Sequence, residues 1–193
     1  MNVLHYILGF PPMRSGGLTK YAIDLMLAEK KLGHDVYAVY PGNFSFFFKK
    51  RKVVKVKPND GITTYIIKNA LPLPLLHGIK KPELFVCNQN LDFDFFLDFF
   101  AENKFDVLHV HTMMGMPIAF LMAAKQHNVK IVYTTHDYFG LCSRVNFIDD
   151  SGKVCTGAST EHCALCNASA KPLWYIWLRN SWVLLLAKKL LKR

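Results

Sequence analysis

A pair of glycines, Gly16 and Gly17, lies between an apolar segment and an amphipathic one. Because glycine has no Cβ, the backbone here can approach a ligand closely. The helix predicted after the pair points its free N–H groups, and the positive end of its dipole, toward the same place. This pattern predicts a binding site for an anion, of which phosphate is the usual one. A tight turn between a strand and a helix, without a ligand, is the alternative.

The loop lacks two well-known phosphate-binding motifs. The G-x-G-x-x-G motif of dinucleotide-binding domains is absent, and Tyr40-Pro41 stand where a ribose-binding acid would be expected. The G-x-x-x-x-G-K-[ST] motif of P-loop proteins is also absent. The sequence therefore argues against a nicotinamide-dependent enzyme and against a P-loop ATPase.

Histidines follow two other apolar segments. His109 and His111 are two residues apart, so on a strand their side chains point to the same face. We interpret one as packed near the strand end and the other as reaching a crevice; a metal site completed by Asp137 is the alternative. His136, beside Asp137 and Tyr138, can hydrogen-bond a ligand hydroxyl or accept its proton near neutral pH. A purely structural histidine that caps the loop is the alternative there.

Four cysteines share one long loop at residues 136–170. They are spaced C-x12-C-x7-C-x2-C and comprise Cys142, Cys155, Cys163 and Cys166. Four thiols that end in C-x-x-C suit a tetrahedral structural zinc, and a metal would order a loop of ~35 residues. Two disulfides or four free thiols are the alternatives. Cys87 stands apart, and we predict it to be a small buried residue.

Apolar segments alternate with amphipathic segments along the chain. We predict strands at residues 2–8, 35–40, 53–56, 62–67, 107–111 and 131–135. We predict helices after Gly17, at residues 93–100, after Pro117 and from residue 172 to the end. Residues 70–82, rich in proline and leucine, are predicted to form an irregular surface excursion. This order predicts an α/β fold with a Rossmann-like, doubly wound, mostly parallel sheet, which carries the long cysteine loop.

The predicted sheet has a consequence for the candidate residues. In a doubly wound fold, the ligand crevice lies beyond the carboxyl ends of the strands. Gly16-Gly17, the segment around His111, and His136-Asp137 follow the ends of three different strands. We therefore predict that these three segments meet along one edge of the sheet.

Size and charge restrict the class of protein further. The chain of 193 residues suits a single domain, residues 1–193, and its hydrophobic fraction of 51% excludes a disordered chain. A formal net charge of +10 indicates an anionic partner, such as nucleic acid, anionic lipid or a phosphorylated small molecule. Neither a signal peptide nor an uninterrupted apolar stretch of ~20 residues is found, so a cytoplasmic location is predicted. Tryptophans such as Trp174 in the terminal helix, followed by a basic end, suit a membrane interface or a helix packed across a domain seam.

Four motifs, in order, resemble those of the N-terminal domain of a family-4-type glycosyltransferase with the GT-B fold. They are PPMRSGGL at residues 11–18, LGHDV at 32–36, FDVLHVH at 105–111 and TTHDY at 134–138. The cysteine loop also resembles one that occurs in a subset of these enzymes. Each motif alone is weak, but four of them in order are specific, and the resemblance spans nearly the whole chain.

The resemblance implies retaining transfer of a sugar from a nucleotide-diphosphate sugar to an acceptor hydroxyl, with no catalytic metal. The acceptor would be a polysaccharide, a lipid-linked glycan or a similar molecule. By this resemblance, Gly16 and Gly17 would contact the donor diphosphate, and His136 would lie at the reaction centre. The crevice and acceptor side would include His111, Asp137, Tyr138 and Arg14.

The resemblance also implies that a C-terminal donor-binding domain, absent from residues 1–193, completes the active-site cleft. The chain is therefore expected to be truncated at its C-terminal end and inactive alone, unless a separate chain supplies the donor half. Lipid-linked acceptors would place it at the inner face of a membrane as a peripheral protein. The competing hypothesis is a zinc-stabilised basic module that binds a protein partner or nucleic acid. Nucleic acid is disfavoured, because the basic residues are not interleaved with aromatics in a recognised pattern.

Overall fold

The computed structural model describes residues 1–42, 51–78, 80, 93–157, 159–181 and 184. Its strands, β1 to β6 in chain order, are Asn2–Tyr6, Asp35–Pro41, Lys52–Asn59, Ile62–Lys68, Val107–Val110 and Lys130–Tyr133. Its α-helices, α1 to α5, are Gly17–Lys31, Phe93–Asn103, Ile118–Gln126, Thr160–Cys166 and Leu173–Arg179. A short 3-10 helix spans Leu75–His77.

The strands form one six-stranded sheet in the order β3-β4-β2-β1-β5-β6. Every pair of neighbours is parallel except the β3–β4 hairpin. After β1 the chain adds β2 and β4 on one side of that strand, and it later adds β5 and β6 on the other side. This change of direction opens a crevice at the carboxyl ends of the strands. The predicted Rossmann-like, mostly parallel α/β fold is confirmed.

The two faces of β1 pack against different layers, because successive side chains of a strand alternate between faces. Leu4 and Tyr6 join a core that α2 and α3 cover, and Phe96 and Phe120 of those helices contribute to it. His5 points to the opposite face, where its ring reaches a side chain of α1. The central strand therefore carries a histidine toward α1 within an otherwise apolar run.

The phenylalanine periodicity predicts α2 correctly, since the helix spans Phe93–Asn103 and buries Phe96, Phe99 and Phe100. The other predicted strands and helices are present, with ends that differ by a few residues. The cysteine loop, predicted without regular structure, contains α4 and an isolated bridge between Ile148 and Val154. The predicted terminal helix begins as expected but ends at Arg179, where Asn180 is the C-cap, so it does not continue unbroken to the end of the chain. Residues 182, 183 and 185–193 lie outside the described residues, as does Cys87.

The prediction of a surface excursion at residues 70–82 is wrong for residues 70–74, which are buried, although Leu76 is exposed. Ala70, Leu71 and Leu73 are buried, because their apolar side chains fill space between the strand ends and later segments. Leu71 donates its backbone N–H to the carbonyl of Gly115. A Cβ on Gly115 would lie only 2.6 Å from Leu73 Cδ2, and φ is +75° there, so this close packing requires glycine.

No helix among the described residues combines the length and the apolar character needed to cross a membrane.

Candidate active site

The amino end of α1 offers free N–H groups to open space. Gly16 is the N-cap residue with φ 125° and ψ 176°, a conformation that L side chains rarely adopt. No side-chain hydrogen bond caps this helix in the described part of the chain. A Cβ built on Gly16 or Gly17 meets none of the described heavy atoms within 4 Å. The first turn of α1 is thus open to an anion, which its N–H groups and dipole would favour.

A chain of hydrogen bonds connects α1 to His136 through the interior. Glu29 Oε2 lies 2.6 Å from His5 Nε2, and His5 Nδ1 lies 3.0 Å from His111 Nε2. His111 Nδ1 then lies 3.2 Å from His136 Nε2. The rings of His111 and His136 are stacked, with centroids 5.4 Å apart. We call Glu29, His5, His111 and His136 the histidine chain.

Tyr21 lies between the open end of α1 and the histidine chain. Its ring meets the His136 ring edge-on, with centroids 4.8 Å apart, and it lies 6.0 Å from the His111 ring. Tyr21 is one helical turn after Gly17, which corresponds to about 6 Å along the axis. The structure therefore brings the open helix end and His136 to the same crevice.

Burial lowers the pKa of His111 and of His136 and so keeps both rings neutral near pH 7. Desolvation, followed by the charges of His109, His5 and His136, lowers the pKa of His111 to about 2. Burial also lowers the pKa of His136, and the nearby Asp137 carboxylate opposes the shift only partly. Near neutral pH, His136 therefore has one N–H donor and one free lone pair.

His111 does not line the crevice, which differs from the expectation that its side chain lies on the acceptor side. It is 0% exposed, and both of its ring nitrogens are engaged within the histidine chain. The stacked ring of His136 covers it. His109, two residues earlier, bonds Thr134 Oγ1 through Nε2 at 2.8 Å. His111 therefore packs behind His136 and does not contact a ligand.

Asp137 and Tyr138 belong to the start of the cysteine loop. Asp137 Oδ1 accepts the backbone N–H of Phe139 at 3.0 Å, which shapes the turn. The exposed ring of Tyr138 packs edge-on against Phe147, with centroids 4.6 Å apart. Asp137 follows His136 directly and its charge acts on that ring, whereas the ring contact of Tyr138 lies within the loop.

Arg14 borders a separate cavity next to the open helix end. The cavity is lined by Gly9, Pro12, Arg14, Tyr40, Trp177 and Asn180, among others. Arg14 Nη2 donates to Asn180 Oδ1 at 2.7 Å, which ties the loop after β1 to the end of α5. Burial, and then the positive charge of Arg179, lower the pKa of Arg14. Sequence patterns predicted Arg14 near the crevice but not its contact with Asn180.

The four cysteines line one small cavity in the loop. Cys163 and Cys166 are three residues apart on α4 and share a face of that helix. Cys142, Cys155, His162 and Phe147 complete the wall. All four cysteines are free thiols in the described chain. Two disulfides, one of the alternatives to a zinc site, are therefore not formed among these cysteines.

Metal-ligating atoms cluster more tightly elsewhere. Among the described residues, the group whose possible ligand atoms lie within 4.8 Å of one another is His5, His109 and His111, and the cysteine sulfurs do not form such a group. Both nitrogens of His5 and of His111 already have hydrogen-bond partners. A metal at these histidines would have to displace those partners.

Sequence reasoning missed His5, Glu29 and Tyr21. His5 lies in the middle of the strand predicted at residues 2–8, and Glu29 lies in the second half of α1, so neither falls near a predicted strand end. The register of the parallel pair β1–β5 could have identified His5, because His5 is the residue that pairs with His109. The contact of Glu29 with His5 depends on how α1 packs across the sheet, which sequence periodicity does not specify.

Comparison with known proteins gives the family of the chain. The family model described as Glycosyltransferase Family 4 matches residues 15–182. Because the match covers most of the chain, the protein belongs to glycosyltransferase family 4. Its family favours glycosyl transfer over the basic binding module that the charge also allowed.

A solved structure also resembles the chain. It is the catalytic domain of starch synthase IV from Arabidopsis thaliana bound to ADP and acarbose, which is 17% identical with a TM-score of 0.40. The match covers 71% of this chain and 34% of that chain, so this chain spans about a third of the length of that catalytic domain. No curated protein matches the chain in sequence.

Proposed function

We propose that residues 1–193 form the acceptor-side part of a retaining glycosyltransferase, which moves a sugar from a nucleotide-diphosphate sugar to an acceptor hydroxyl. One observation carries the proposal: the open amino end of α1 and the neutral His136 share one crevice, with Tyr21 between them. The first can receive a diphosphate, and the second can bind a sugar hydroxyl. Membership of glycosyltransferase family 4 supports glycosyl transfer as the reaction.

Gly16 and Gly17 contact the donor diphosphate in this proposal. Their missing side chains leave the N–H groups of the first turn accessible, and the helix dipole attracts the negative charge. These groups supply positive potential without a catalytic metal, so the proposal requires none.

The acceptor binds on the side of Arg14, Asp137 and Tyr138. The cavity beside Arg14 opens at the same end of the sheet as the donor crevice. A polysaccharide, a lipid-linked glycan or a similar molecule offers hydroxyl groups of the required kind. Burial, and then the charge of Arg179, lower the pKa of Arg14 and so disfavour its positive charge. An anionic group on the acceptor would stabilise that charge.

The donor half comes from a second α/β domain, in the same polypeptide or in a separate chain. This proposal rests on the family, whose resemblance implies a two-domain cleft. Sequencing the DNA that follows the codon for Arg193 tests it directly. An in-frame second α/β domain supports the first arrangement, whereas a stop codon leaves only a separate chain.

We also propose a cytoplasmic enzyme that makes peripheral contact with an anionic membrane surface. On α5, Trp174 and Leu178 are 64% and 42% exposed and lie four residues apart, so they share a face. Lys171 and Arg179 flank them. Exposed apolar side chains between basic groups suit the boundary between lipid headgroups and acyl chains.

The substitution His136→Ala tests the catalytic assignment. We expect it to reduce turnover of nucleotide-diphosphate sugar by about 10²-fold or more, the range for a positioned imidazole, in protein that includes the donor half. His127→Ala, at the exposed end of α3, is the matched control and should leave turnover unchanged. The anomeric configuration of the product, measured by NMR, should equal that of the donor. Normal turnover by His136→Ala, or an inverted product, would contradict the proposal.

A further inference from the structure

The histidine chain is a continuous hydrogen-bonded path from a carboxylate to the crevice. Its three contacts measure 2.6 Å, 3.0 Å and 3.2 Å, and they use both ring nitrogens of His5 and of His111. Its interior members, His5 and His111, are both 0% exposed. Such a path costs free energy to bury unless every donor meets an acceptor, so the direction of each hydrogen bond matters.

Glu29 sets that direction. Burial alone would raise the pKa of this carboxyl group, but the hydrogen bond and charge of His5, with the charges of His109 and His34, lower it overall. An ionised carboxylate only accepts hydrogen bonds. His5 Nε2 must therefore carry the proton that Glu29 accepts.

The remaining protons follow from neutral imidazole chemistry. A neutral imidazole has one N–H donor and one acceptor nitrogen. With a neutral ring whose proton is on Nε2, His5 accepts through Nδ1 from His111 Nε2–H, and His111 in turn accepts through Nδ1 from His136 Nε2–H. The Nδ1 lone pair of His136 is then the acceptor left at the end of the path. A doubly protonated His5 would instead donate through Nδ1 and reverse the path, which would leave His136 as the Nδ1–H tautomer.

We infer that Glu29, His5 and His111 are positioning residues that hold His136 as its Nε2–H tautomer, so that Nδ1 accepts a hydrogen bond from a hydroxyl of the bound sugar. The sugar in this statement rests on the proposed function, whereas the tautomer does not. No proton changes its covalent partner in this role. The chain orients the imidazole and selects which nitrogen faces the ligand, much as outer partners fix the tautomers of metal-binding histidines.

A metal at His5, His109 and His111 is the competing explanation for this cluster. It would need a lone pair from each of the three rings pointing to a common centre. The Nδ1 lone pair of His5 and that of His111 are instead directed at N–H groups of the next ring. The hydrogen-bond path gives a partner to both ring nitrogens of His5 and of His111. A bound metal would give a partner to only one nitrogen of each ring.

The tautomers can be measured directly in the protein labelled with ¹⁵N-histidine, by two-bond ¹H–¹⁵N correlation NMR near neutral pH. We expect Nε2–H forms for His5, His111 and His136. In Glu29→Gln, the amide can present either its oxygen or its NH₂ group to His5, so the His136 signals should shift toward a mixture of both tautomers. Asp24→Asn, an exposed acid on the same helix, is the matched control and should keep the Nε2–H form.

Three results would overturn the inference. His136 could be the Nδ1–H tautomer in the unaltered protein, which needs no variant and so does not depend on the stability of Glu29→Gln. The Glu29→Gln spectrum could match that of Asp24→Asn. Elemental analysis could also find a metal whose removal by a chelator changes the His5 and His111 signals together.

Activity gives an independent readout in protein that includes the donor half. Glu29→Gln should lower kcat/KM for the nucleotide sugar about tenfold, as expected for one weakened hydrogen bond, and Glu29→Asp should recover part of this loss. Unchanged kcat/KM with a changed tautomer would contradict the role of Nδ1. If His136→Ala retains turnover while the tautomers are as expected, the proposed function fails and the positioning chain stands.

Discussion

At the scale of single residues, the crevice depends on keeping imidazoles neutral. The rings of His5 on β1, His109 on β5, His136 after β6 and Tyr21 on α1 all contact His111. Glu29 of α1 contacts His5 in turn. Burial and these neighbouring rings disfavour its charged form. Protonation of His111 would therefore oppose folding.

The stability of the protein should consequently fall below neutral pH. The pKa of His111 is about 2 in the folded state and near 6.5 when unfolded, so the unfolded state binds more protons between these values. Stability is then complete above pH 6.5 and decreases as pH falls, by about 2 kcal/mol between pH 7 and pH 5 from this residue. Glu29, whose pKa is lowered, stays ionised across this window.

Urea unfolding from pH 7 to pH 5 measures this effect. We expect the free energy of unfolding of His111→Gln to depend less steeply on pH than that of the unaltered protein. His127→Gln, which replaces an exposed histidine, provides the reference. Parallel curves for His111→Gln and the unaltered protein would show that His111 does not stay neutral on folding.

At the scale of elements, the cysteine loop is organised around one cavity. The bridge between Ile148 and Val154 folds the loop back on itself, and Ser159 Oγ caps α4 by accepting from His162 N. These local interactions bring Cys142 and Cys155 to the face of α4 that carries Cys163 and Cys166. We propose that the four thiols hold a structural zinc, which would draw the sulfurs into a tetrahedral set.

About one zinc per chain should copurify with the protein, as measured by elemental analysis. Chelation should lower the midpoint of thermal unfolding, because a structural metal binds only the folded state. Cys166→Ser should lose the metal, whereas Cys87→Ser, outside the spacing pattern, should keep it. A metal-free protein whose melting a chelator does not change would leave the thiols free, as the structure shows them.

At the scale of the whole molecule, a formal net charge of +10 favours anionic surfaces. Trp174 and Leu178 are exposed and could contact the membrane once the charge has attracted the protein to it. Charge brings the protein to a surface, and apolar side chains then determine how strongly α5 inserts.

Cosedimentation with lipid vesicles tests this contact. We expect binding to vesicles that contain phosphatidylserine, little binding to phosphatidylcholine alone, and weaker binding as salt rises because charges are screened. Trp174→Ser should reduce binding severalfold. Leu165→Ser removes a side chain that is 72% exposed on α4 and should change little. Equal binding to both vesicle types would contradict an anionic membrane partner.

The sequence by itself determined the fold class and predicted where the crevice would lie. Apolar runs such as β1 and the phenylalanine spacing of α2 are local patterns with the periods of a strand and a helix. The strand ends then place Gly16 and His136 on one edge of the sheet, as the contact of Tyr21 with His136 shows.

Only the tertiary structure decided which side chains support His136. Strand register placed His5 beside His109, and the packing of α1 across the sheet brought Glu29 within 2.6 Å of His5. The burial of Leu71 and Leu73 likewise depends on distant partners such as Gly115. These contacts join residues far apart in sequence, so they follow from how the layers pack and not from the local period of any one segment.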